Sequence, residues 1–285
     1  MFAKTPNEPI GGLKAPSGTS SDAICRKVVY WVQRRRLLFD EARESLGDLM
    51  FSKTTDEVQQ VYNATADGDP KKQHLEALLE NNKKVLLNLY DRIVQDVFFG
   101  EVKDAKRSQK KAVEYAKLLA THDVLCVLLG FFEGLNFETR QAVEKLFSAL
   151  MHQNYGDFIS SYFLPNVERI LDPILRGGFR EHAVFSTVSA HMIICSSMLR
   201  SCLQIDKNPN LPPAVTQPIY AHIVTGANLE CMIALSNTGS NFEIASDAMA
   251  TLKEIMLCDY FGKYFRPVNK ALADCNDDEK HRRLR

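Results

Sequence analysis

Net charge is the first thing this sequence lacks. Its 285 residues carry 35 Lys+Arg against 35 Asp+Glu, so no global field draws the chain to nucleic acid or to an anionic membrane, and any basic site must be local. Disulfide and zinc patterns are missing as well: the seven cysteines are odd in number, contain no CxxC and follow no secretory apolar segment. That usage fits a reducing cytosolic or nuclear compartment, of which the cytoplasm is the expectation. Long hydrophobic runs are absent. The longest nearly uncharged stretch, VLCVLLGFF at 124–132, is about half of the roughly 20 residues a spanning helix needs; it reads as a buried core helix, and no membrane insertion is expected. There is no GxxxxGK[ST], HExxH or GxSxG, and no HxE paired with PCxxC, which leaves nucleotide-binding, zinc-peptidase, serine-hydrolase and deaminase chemistry without residues to stand on. A calcium loop tried at Asn63, Thr65, Asp67 and Gly68 fails because its twelfth position is His74, where a bidentate Glu is required. The expectation is a non-enzyme with no cofactor and no metal.

What is present is ordinary globular material, 45% hydrophobic and 25% charged, in a chain long enough to bury a substantial core. Residues 1–22, rich in Pro, Gly and Ser, read as a disordered tail. Residues 23–274 read as an α-helical repeat domain, and 275–285 as a charged C-terminal tail. From Ile24 onward apolar residues recur at helical spacing, without strand-like alternation, so the fold class is all-α. A helix over 24–50 places Val28, Trp31, Val32, Leu38, Ala42, Leu46 and Leu49 inward and Arg34, Arg35 and Arg36 on its wet face. A second helix, opened by Pro70 and ending near Gly100, carries Leu75, Leu78, Leu79, Leu86, Leu89, Tyr90, Ile93 and Val97 as one stripe.

The second half repeats a short helix followed by a longer one. The first long helix is striped by Val143, Leu146, Phe147, Leu150 and Met151. In the second pair, Val167, Ile170, Leu171, Ile174 and Leu175 precede Gly177-Gly178, and Val188, Met192, Cys195, Leu199 and Cys202 stripe the longer partner. The third runs from Leu229, Met232, Ile233 and Leu235, through an SNFE capping box, to a helix buried through Ala245, Ala248, Met249, Leu252 and Met256. Phe137, Phe179 and Phe242 mark the starts of the long helices at intervals of 42 and 63 residues. The first interval lies in the roughly 40–47-residue period of HEAT and armadillo repeats. The second needs an insertion, part of which the Pro-rich stretch 208–218 supplies as a loop. A HEAT/armadillo-like helical-repeat solenoid follows, with a concave groove suited to a protein partner.

His191, Cys195 and Cys202 fall at metal-ligand spacing, yet both cysteines lie on the apolar stripe, so buried structural thiols are the expectation. The basic run over 103–117 reads as a solvated helix face, and the terminal KHRRLR as a frayed end. Neither has the aromatic interleaving that base stacking requires, and no nucleic-acid partner is expected.

The segment SNFEIASDAMATLKEIML, 240–257, closely resembles the STFDIASDAFATFKDLL signature of the mouse-protein-25 family. LNFETRQAVEKLFSAL at 135–150 is similar to that family's DFEGKKDVAQIFNNIL, and MLRSC at 198–202 to its MLREC, giving a resemblance that covers about 83–270. What the resemblance implies is a horseshoe scaffold that binds a sterile-20-type protein kinase or pseudokinase across its concave face and holds it active, without catalysis of its own. A helical-repeat adaptor for cytoskeletal or trafficking cargo is the alternative. The family's contact aromatic falls on Phe242, which can equally be read as a hydrophobic staple at a helix start. Arg140, on the first turn after Phe137, is a second partner-binding candidate because an Arg there could pair with a kinase carboxylate. Members of the family continue for about three more helical units beyond the IASDA helix; here the chain runs into YFGKYFRPVNKALADC. Either the pocket carried by those units has been lost, or the chain is a fragment or a shortened member.

Overall fold

The structure, a computed structural model, describes residues 16–46, 70–93, 105–177, 189–205, 211, 213–224, 226–237 and 242–257. Among them there is no strand. Ten α-helices follow one another: α1 Ser21–Leu46, α2 Pro70–Ile93, α3 Ala105–Thr121, α4 Val124–Leu129, α5 Phe137–Gln153, α6 Val167–Leu175, α7 Ser189–Leu203, α8 Pro213–Ile223, α9 Gly226–Ser236 and α10 Phe242–Leu257. They stack in two rows. One row is α2, α5, α7 and α10, each packed on the next; the other is α1, α4, α6 and α8, packed in the same order. Cross-contacts α1–α2 and α6–α7 join the rows, and α9 packs on α10. Each helix thus touches neighbours one step away, which is the arrangement of an armadillo-like helical-repeat solenoid.

The stripes explain the rows. On α5, Val143, Leu146, Phe147, Leu150 and Met151 are all buried, as are Ile170, Leu171, Ile174 and Leu175 on α6 and Met192, Cys195, Leu199 and Cys202 on α7. On α3, Ala112, Tyr115, Ala116 and Leu119 face inward, while Lys110, Lys111 and Lys117 are exposed. The described helices include none long and apolar enough to cross a membrane alone; α8 and α9 reach that length and composition only as a bent pair, with Ile219, Tyr220, Ile223, Met232 and Leu235 buried in the core.

Four expectations are corrected. Helix α1 starts at Ser21, inside the stretch assigned to the tail, because the Ser20 hydroxyl accepts a hydrogen bond from the Ala23 N–H and caps it. Arg34 and Arg35 are buried rather than wet, and only Arg36 of the three is exposed. The stretch 208–218 is not all loop: α8 begins at Pro213 and runs through Pro218, since a proline is tolerated at a helix start, and Pro218 lies on the exposed side. On α10 the buried face is Ile244, Ala248, Thr251, Leu252 and Ile255, one residue round from the expected stripe, leaving Met249 and Met256 exposed; Ile233 on α9 is exposed too. Residues 1–15 of the expected tail 1–22 and all of the expected tail 275–285 lie outside the described residues, as do the side chains of Ala42, Leu46, Leu49, Leu75 and Val97 and the marker Phe179.

The two-residue turn between α3 and α4 pins three elements. His122 Nε2 lies 2.7 Å from Asp22 Oδ1 on α1. Asp123, at φ 53, is left-handed; its Oδ1 accepts the Tyr162 hydroxyl at 2.7 Å and its Oδ2 pairs with Arg169 of α6 at 2.5 Å. Burial works to raise the Asp123 carboxyl, but the hydrogen bonds from Tyr162 and Arg169 outweigh it and leave the group below its ordinary 3.8. A depressed folded value means that the stability held in this carboxylate is complete above the ordinary value and is lost as pH falls through the folded one. Asp123→Ala should cost about 2–3 kcal/mol, because it leaves the buried Tyr162 hydroxyl with only the weak Cys126 thiol as acceptor, removes the partner of Arg169, and puts a residue without a polar side chain at positive φ. Asp123→Asn keeps the acceptor and the left-handed tolerance, so it should cost about 1 kcal/mol or less, and it should flatten the fall in stability below pH ~4. Urea denaturation at pH 7 and at pH 3.5 reads both effects, and equal losses in the two variants would refute the assignment.

Candidate functional site

Along the row α2–α5–α7–α10 the contacts between helices are partly polar. Lys83 of α2 lies 3.6 Å from Glu138 of α5. Glu144 of α5 accepts the Ser197 hydroxyl of α7 at 2.8 Å, and Ser148 meets Ser201 at 2.8 Å. Both pairs are offset by 53 residues and advance together by four, so α5 and α7 run parallel in fixed register. Arg200 of α7 then reaches α10, donating from Nη1 to Asp247 Oδ1 at 2.8 Å and Thr251 Oγ1 at 3.1 Å. This seam fixes how each helix of the row is rotated against the next.

Three consecutive helices of that row each expose one large apolar side chain in their first two turns: Phe137 on α5 at 45%, Ile193 on α7 at 38% and Phe242 on α10 at 85%. The 53-residue register sets Phe137 level with residue 190, one turn before Ile193. Phe242 does not act as a staple buried against its own helix, because almost its whole ring meets solvent. It opens a longer apolar stripe on α10, with Met249 and Met256 exposed at 53% and 62%. Seven residues are close to two helical turns, so the three share a face about 21 Å long.

Arg140 is elsewhere. It is 3% exposed, and its Nε donates to the Leu135 carbonyl at 2.6 Å, which turns the guanidinium into the connection before α5 rather than toward a partner. The reason is its place on the α5 stripe, three residues before Val143 and seven before Phe147.

Sequence spacing also passed over a buried polar cluster behind the row. Arg35 of α1 donates from Nε to the Gly134 carbonyl at 2.7 Å and from Nη1 to the Leu79 carbonyl at 3.2 Å. Asn82 of α2 donates to the Trp31 carbonyl at 2.8 Å. The Arg34 guanidinium lies 5.0 Å from the centre of the Trp31 ring, within cation–π range. Gly134 sits directly against the Phe131 ring, where a Cβ would come within 2.0 Å of it. The turn leading into α5 is therefore held from both sides.

Cys195 and Cys202 are fully buried in the core of α7, and burial pushes the Cys202 thiol up; Cys25, also buried, is pushed up to about 12. The Cys25 and Cys202 thiols therefore stay protonated at neutral pH. The His191 side chain lies outside the described residues. Among the described residues no three His, Cys, Asp or Glu side chains converge as a ligand set.

A two-row helical solenoid whose long helices present an apolar edge is a scaffold-type helical protein. The Mo25-like family model matches residues 41–266, and the chain belongs to that family. The match takes in α2 to α10 together with the end of α1, and so reaches further toward the N-terminus than the resemblance read from the signature segments. No curated protein and no solved structure matches the chain.

Proposed function

We propose that this chain is a non-catalytic cytoplasmic scaffold that binds a sterile-20-type protein kinase or pseudokinase through the row α2–α5–α7–α10, with Phe242 as its leading contact, and holds that partner in an active conformation. The observation that carries the reading is an aromatic ring 85% exposed at the first residue of α10, inside the segment that resembles the family signature. An apolar ring left in water is out of place in a monomer's core and suited to a partner's pocket. A scaffold raises a kinase's activity only by binding the active conformation more tightly than the inactive one; a tenfold shift in that equilibrium requires about 1.4 kcal/mol of differential binding. The test is a panel of purified sterile-20-type kinase and pseudokinase domains, assayed for binding to the full chain and for phosphotransfer with and without it. At least one should bind and, if catalytic, gain activity. A panel without a binder would return the chain to the other adaptor class, for cytoskeletal or trafficking cargo.

A further inference from the structure

The described methionines divide sharply. Met151, Met192, Met198 and Met232 are 0% exposed, whereas Met249 and Met256 are 53% and 62% exposed and lie on the α10 face that begins at Phe242. Their seven-residue spacing puts both thioethers on the same side of the helix, about 10 Å apart. Lys253 sits between them, four residues after one and three before the other, so its exposed side chain is a helical neighbour of both.

We propose that Met249 and Met256 form a reversible oxidation site that controls the α10 contact surface. The regulatory half of this inference rests on the kinase reading above; the modification itself does not. The oxidant is a peroxide. Its terminal oxygen is transferred to the thioether sulfur as the O–O bond breaks, the sulfur loses two electrons and becomes a sulfoxide, and with hydrogen peroxide the remaining oxygen leaves as water. A dithiol reductant in a methionine sulfoxide reductase reverses the step, removing the oxygen as water and becoming a disulfide. Oxidation replaces two apolar, flexible side chains with polar ones in the middle and at the end of the Phe242 stripe, and the Lys253 ammonium is a ready donor to either sulfoxide oxygen. The buried methionines have no such access, so among the described residues the change is confined to one face.

The experiment has two arms. The full chain is treated with hydrogen peroxide under native conditions and mapped by peptide mass spectrometry. Sulfoxide should form at Met249 and Met256 at least about tenfold faster than at Met151, Met192, Met198 and Met232, following exposure. Equal rates, or resistance at Met249 and Met256, would overturn the site. In the second arm the oxidised chain meets the kinase domain that binds the unmodified one. Affinity should fall by about tenfold or more, return after reductase treatment, and become insensitive to peroxide in the M249L/M256L variant, which keeps apolar side chains of similar volume. Full oxidation with unchanged affinity would overturn the regulatory role while leaving the Phe242 contact standing. If no kinase domain binds the unmodified chain, the kinase reading and the regulatory role fall together, and the map alone decides the modification site.

Discussion

Replacing Phe242 with alanine is expected to weaken binding of the proposed kinase or pseudokinase partner by about tenfold or more while leaving the melting temperature within a few degrees of the parent. The two halves of this expectation come from one fact. With 85% of the residue in solvent, the ring gives the folded monomer little burial to lose, so truncation leaves no cavity in the core. A partner that covers the ring recovers nearly all of its apolar area, and aromatic anchors of this kind commonly dominate an interface. Phe137 provides the contrast. At 45% exposure it already buries about half its surface, so Phe137→Ala should lower stability by roughly 1–2 kcal/mol. Isothermal titration and thermal unfolding on the two variants separate the roles. Lost stability with unchanged binding in Phe242→Ala would assign that ring to the core.

The second large effect is on folding. Arg35→Met keeps the aliphatic stem but removes the donors to the Gly134 and Leu79 carbonyls. Each buried charge-assisted hydrogen bond is worth about 1.5–3 kcal/mol, and an orphaned buried carbonyl adds its own desolvation cost, so a loss of about 3–4 kcal/mol is expected. Arg35→Lys should recover only part of it, because a single ammonium cannot reproduce the two directions of the guanidinium fork. Denaturant midpoints for the three proteins check this. A loss below about 0.5 kcal/mol in Arg35→Met would show that the two carbonyls find other donors. Arg36→Met, one residue on and exposed, serves as the neutral control.

The rows of helices were legible because their stripes are long and unambiguous: α5 follows helical spacing through five buried residues. Two of the corrected readings share one physical origin. Arg35 and Arg140 occupy apolar stripe positions, Arg35 at i+4 and i+3 from Trp31 and Val32 and Arg140 ahead of Val143, and Asn82, three residues after Leu79, behaves in the same way. Their charge or polarity suggested solvent, while their spacing placed them in the core. Spacing prevailed because the chain offers each a backbone carbonyl to satisfy, and an arginine or asparagine so partnered can be buried. Helix α10 went astray for the opposite reason. Apolar residues lie on both its faces, so hydropathy alone leaves its rotation open by one residue; the seam from Arg200 to Asp247 and Thr251 closes that choice. No pattern in the sequence reports that seam, since its members are 47 and 51 residues apart. Phe242 was the legible part of the candidate surface, and Ile193, Met249 and Met256 became visible only when the helices were set side by side.

The side-by-side packing of the long-helix row has a consequence for how the surface tolerates change over time. Phe137 and Phe242 are separated by 105 residues of chain but by only two helix-to-helix steps, each on the order of 8–10 Å. A bound molecule measures the second distance and never the first. The row is a ruler whose graduations are helix diameters, so residues inserted between one long helix and the next, as around α8, lengthen the chain without moving the marks. Lineages can thus gain or lose connecting segments while the spacing read by a partner stays the same.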